Sequence, residues 1–190
     1  MSSSSTNSFE IPETTEGKIN YAKKLKEDGN DQFKQGNYLK AIKLYKTIFL
    51  YVTGLDSNLM SVMSNNNQNA GSSSQQTLSE TEQLQVTANL NIAQCYLKLE
   101  KYEQALEYSK RALKLEPNNI KGRLRKALAY LGLNDIDNSE RALEDVSKEI
   151  PNDPLVKQGY KKLEVLKKEH KTKEKKMMMG IFSGLGSDDQ

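Results

Sequence analysis

Ala41, Leu44, Tyr45, Ile48 and Val52 fall at i, i+3, i+4, i+7 and i+11, one apolar stripe of a helix. The segment "TIFLYV" inside that stripe is β-branched and aromatic, so propensity alone suggests a strand. The periodicity outweighs it. Patterns of this kind predict helices at 18–35, 38–53, 81–99, 102–115, 118–133, 136–149 and 153–177, an all-α chain. In the last of these, Leu155, Tyr160, Leu163 and Leu166 are spaced for one face that can cap a preceding layer. Beyond Leu166 that face turns lysine-rich and is expected to project into solvent. Three stretches lack the apolar residues a core segment needs. They predict a disordered tail over 1–17, a disordered insertion over about 54–80 carrying "SNNNQNAGSSSQQTLSET", and a flexible tail over 178–190.

The chain repeats itself. Setting Asn89–Asn119 beside Arg123–Asp153 matches Ala93 with Ala127, Tyr96 with Tyr130, Tyr102 with Ile136, Ala112 with Val146 and Pro117 with Pro151. Each pair is 34 residues apart. The opening segment fits the same template, with Gly29 in the place of Ala93 and Ala41 in the place of Ala105. Ala41 and Ala105 are 64 residues apart, one period of 34 plus an insertion of 30 that holds the Asn/Ser/Gln tract.

A 34-residue helix–turn–helix period with small residues at the crossing points and a proline at its end resembles the tetratricopeptide repeat (TPR). The resemblance implies an α-solenoid of three tandem repeats over 18–153, at about 19–53, 84–117 and 118–151, followed by the extension helix 153–177. It also offers a reason for "LKEDGN", where Gly29 sits inside a predicted helix. Glycine there costs about 1 kcal/mol relative to alanine. A helix crossing that needs a missing Cβ offsets the loss.

In tetratricopeptide domains the first helix of each repeat lines a concave groove. Lys26 and Asn30 are four apart, on one face of the first such helix, and Lys121 and Arg125 repeat that spacing on the third. Asn91 lies on the second. Residue by residue this is similar to the dicarboxylate clamp of Hsp90- and Hsp70-binding co-chaperones, through "LKEDGN", "LNIAQCYLKL" and "IKGRLRKA". The resemblance implies that Lys26, Asn30 and Asn91 hold the terminal α-carboxylate of an EEVD tail. Lys121 would take the aspartate side chain, Arg125 an oxygen further up the peptide, and Phe33 would wall the valine. "YVTGL" and "KEKKMMMGIF" look most like the tetratricopeptide repeat protein 9 group, and the basic final helix looks like immunophilin co-chaperones. Residues 1–17 are too few for a prolyl isomerase domain, which leaves a stand-alone adaptor or the TPR half of a larger immunophilin.

Composition narrows the function classes. The net charge of +3 is mild and does not point to nucleic acid. No apolar run is long enough to span a bilayer, and "MSSSSTNSFE" has no signal-peptide pattern. Cys95 is the single cysteine and His170 the single histidine, so no disulfide framework, metal cluster or triad is expected, nor any cofactor. A reducing compartment, cytoplasmic or nuclear, and a non-enzymatic binding role are the expectations. Charge is uneven, however: residues 157–176 hold nine lysines against three glutamates. Followed by Met177–Met179, Ile181 and Phe182, they raise a rival reading, a calmodulin target or a membrane-surface segment.

Overall fold

The computed structural model describes residues 12–55 and 78–185. Among them lie α1 (Thr15–Lys34), α2 (Tyr38–Val52), α3 (Glu80–Lys98), α4 (Tyr102–Leu115), α5 (Ile120–Gly132), α6 (Ile136–Ser147) and α7 (Pro154–Leu185), and no strand. The strand alternative for "TIFLYV" fails because Ala41, Ile42, Tyr45, Ile48 and Val52 are buried together along one side of α2. The predicted disorder of residues 1–11 and most of the 54–80 insertion falls outside the described residues.

Capping residues explain where the helices begin. The predicted tail over 1–17 is too long: α1 starts at Thr15, because Thr14 Oγ1 accepts the Gly17 N–H at 3.1 Å. α3 opens on a reciprocal capping box, in which Ser79 Oγ accepts from Glu82 N at 3.2 Å and Glu82 Oε2 from Ser79 N at 2.8 Å. Asn119 Oδ1 accepts from Gly122 N at 2.9 Å, so α5 starts two residues later than the periodicity suggests. Pro154 opens α7 behind Asp153, whose Oδ1 accepts from Leu155 N at 2.8 Å. The predicted flexible tail over 178–190 is also corrected, since α7 runs on to Leu185. Lys173–Met179 is a run of helix formers that offers no stop before Gly180.

The three turns between paired helices are built alike. Gly36, Glu100 and Asn134 all take left-handed backbone, at φ of 78°, 56° and 58°. They are spaced by 64 and 34 residues, as the repeat template requires. Each ends its helix in a Schellman motif: Asn37 N donates to Gln32 O at 2.9 Å, Lys101 N to Tyr96 O at 2.9 Å, and Asp135 N to Tyr130 O at 3.0 Å. The small residues expected in register are all buried, Ala41, Ala105 and Ser139 as one set and Gly29, Ala93 and Ala127 as the other.

Two compact units divide the chain, residues 1–95 and 96–190. In the first, α1 packs against α2, with Ala22, Leu25 and Gly29 of α1 buried. The Tyr21 and Tyr51 rings meet edge-on at 4.8 Å, and Phe33 and Tyr38 meet at 5.3 Å beside the turn. Lys23 of α1 reaches Glu80 of α3 at 2.6 Å. In the second unit α4, α5, α6 and α7 pack in sequence. Leu131, Leu143 and Leu163 form one cluster there, and Leu124, Val146 and Val156 another. The first half of α7 thus caps this unit, as its spacing predicts, while from Lys167 to Ile181 every residue is exposed. Cys95 is fully buried, a packing role in keeping with its place beside the small Ala93.

Candidate functional site

On the first unit, Lys26 and Asn30 occupy successive turns of α1 and both are half-buried. Asn91 of α3 comes to Asn30 across 61 residues of sequence: its Nδ2 donates to Asn30 Oδ1 at 3.2 Å. The same oxygen accepts from the Tyr45 hydroxyl of α2 at 2.8 Å. Three helices therefore meet at one amide. Lys26 also lines an adjoining cleft of ≈220 Å³ with Lys23, Glu27, Gln83 and Thr87. Lys23 is held by Glu80, whereas Lys26 forms no ion pair among the described residues.

On the second unit, Lys121 and Arg125 lie one turn apart on α5, the lysine exposed and the arginine half-buried. Arg123 between them serves another purpose. It pairs with Glu149 and donates to Asn118 O, tying both ends of the α5–α6 hairpin together. Lys121, like Lys26, has no ion pair among the described residues. Two of the predicted cations thus keep their charge uncompensated, which suits an anionic ligand and costs little in a hydrated position.

Tyr45 was invisible to the motif, since only its apolar spacing marked it. The signal was present in the neighbouring pair Gly29-Asn30. Phe33, assigned by resemblance to a valine wall, has a structural duty at the α1–α2 turn through its contact with Tyr38. His170 is exposed on α7, 3.5 Å from Glu174, as expected of a solvated histidine. Among the described residues no group of three or more His, Cys, Asp or Glu could hold a metal, and no helix is long and apolar enough to cross a membrane.

Comparison with known proteins agrees with this architecture. The tetratricopeptide repeat family model matches residues 96–163. Peptidyl-prolyl cis-trans isomerase FKBP4 of Bos taurus is 27% identical over 176 residues, which cover 93% of this chain and 35% of that protein. The chain therefore spans about a third of the length of the curated relatives it matches. Among solved structures, the C-terminal TPR-containing domain of a Plasmodium falciparum FK506-binding protein aligns with a TM-score of 0.67 at 23% identity, over 84% of this chain and 96% of that one. The first TPR of Spaghetti (RPAP3), solved with the Hsp90 peptide SRMEEVD, aligns with a TM-score of 0.56 at 21% identity, over 77% of this chain and 92% of that one. The likeness is to a protein-interaction repeat rather than to a catalytic domain. With its 34-residue period, its recurrent left-handed turns and these alignments, the chain is a tetratricopeptide-repeat domain, similar to the TPR domains of FKBP4-type immunophilins.

Proposed function

We propose that this chain is a co-chaperone-type adaptor that binds the C-terminal EEVD tail of Hsp90 or Hsp70. The observation that carries the reading is the joined amide pair Asn30–Asn91, one turn from the unpaired Lys26. In this reading Lys26, Asn30 and Asn91 hold the terminal α-carboxylate, Lys121 takes the aspartate side chain, and Arg125 an oxygen further upstream. The fold neighbour solved with an Hsp90 peptide supports the class of ligand.

The chemistry is of the right strength. Hydrogen bonds to a charged group contribute about 1.5–3 kcal/mol each, before the cost of ordering the peptide is subtracted. Several of them leave a net near −8 kcal/mol, a dissociation constant on the order of 1 µM. Calorimetric titration with a peptide ending in MEEVD, as free acid and as C-terminal amide, tests the reading. The free acid should bind and the amide should bind about tenfold more weakly or worse, because amidation deletes the charge that Lys26 is assigned to meet. Equal binding of the two peptides would exclude a carboxylate clamp.

A further inference from the structure

Asn30 Oδ1 already accepts from two donors, the Tyr45 hydroxyl at 2.8 Å and Asn91 Nδ2 at 3.2 Å. An amide oxygen has two lone pairs, so both are engaged and none remains for a ligand. Its amino group differs: among the described residues nothing accepts from Asn30 Nδ2. The terminal torsion of asparagine is broad and two-fold, so an isolated side chain would present oxygen and nitrogen about equally. Reversing Asn30 here would set its amino group against that of Asn91, two donors facing one another. The Tyr45 hydroxyl adds the second bond that holds the oxygen inward. Tyr45 itself is 1% exposed, with its ring seated over Gly29, so its hydroxyl is delivered from within the fold.

We infer that Tyr45 is a positioning residue. It locks the Asn30 amide so that the N–H donors face outward, and thereby selects a hydrogen-bond acceptor, an anionic carboxylate, without touching it. The inference rests on the carboxylate-binding reading above and adds to it the residue that sets the polarity of the site. It differs from a packing role, because Tyr45→Phe keeps the ring over Gly29 and removes only the oxygen.

The test is a double-mutant cycle, read by titration with the MEEVD free acid and its C-terminal amide. Tyr45→Phe should weaken free-acid binding about three- to tenfold, the size of one net hydrogen bond. In an Asn30→Ala background the same change should alter binding by less than about twofold, since its effect passes through Asn30. Amide binding should not respond to Tyr45→Phe. Wild-type affinity in the single variant, or an equal loss in both backgrounds, overturns the positioning role while leaving the carboxylate reading intact. A wild-type chain that binds acid and amide alike overturns both. If Tyr45→Phe does not fold, the unmodified chain still decides. The Asn30 side-chain NH2 resonances should shift on adding the free acid and stay in place with the amide; resonances that stay in place with both overturn the inference.

Discussion

A Cβ built on Gly29 would lie 2.5 Å from the Tyr45 ring, closer than real side chains ever stand. The glycine is therefore the condition for the α1–α2 crossing, and its helix-propensity loss is offset by the ring packed where the side chain is missing. Gly29→Leu should destabilise the fold by about 1–3 kcal/mol through overpacking, although leucine is the better helix former. Chemical denaturation reads this directly. A midpoint above wild type would show that the ring can leave the crossing at no cost.

Lys121 is an exposed residue of α5 without an ion pair among the described residues, so Lys121→Glu should shift stability by less than about 0.5 kcal/mol. Binding of an MEEVD free acid should nevertheless fall about tenfold or more, because attraction becomes repulsion. Wild-type affinity should also decline as salt rises from 0.05 to about 0.5 M, as screening predicts. Calorimetry with thermal melting of the same sample separates the two effects.

Glu100 holds a left-handed conformation at φ 56°, a place where Gly36 sits in the first turn. A residue with a Cβ is disfavoured there by roughly 1–2 kcal/mol, partly balanced by the larger entropy a glycine loses on folding. Glu100→Gly should therefore stabilise the chain by about 0.5–1 kcal/mol, a rise of a few degrees in melting temperature. A fall in melting temperature would mean that the Glu100 side chain contributes more than its backbone strain costs.

The two halves of α7 should respond oppositely. Leu163 is 3% exposed in the Leu131–Leu143 cluster, and Leu163→Ala should cost about 2–5 kcal/mol. Truncation after Lys168 removes only exposed residues among those whose side chains are described, so stability and EEVD-peptide binding should both stay near wild type. Loss of peptide binding in that truncation would move the function to the basic, methionine-rich end of the helix.

Much of this protein could be read before any coordinates. The 34-residue spacing of Ala93 and Ala127, of Tyr96 and Tyr130, and of Pro117 and Pro151 specified the helix pairs, because a repeated unit must bury the same face each time. The i, i+4 spacing of Lys26 with Asn30 and of Lys121 with Arg125 put each pair on one helix face, since α-helical geometry is local. Helix ends were less legible: Thr14 and Asn119 shift the starts of α1 and α5, and the absence of a stop before Gly180 carries α7 past its expected end. The meeting of Asn30, Asn91 and Tyr45 belongs to the tertiary structure alone. Their sequence separations of 61 and 15 residues say nothing about which lone pair meets which donor. Periodicity reports the face on which a side chain lies, whereas the orientation of an amide is set by partners that only packing brings within 3.2 Å.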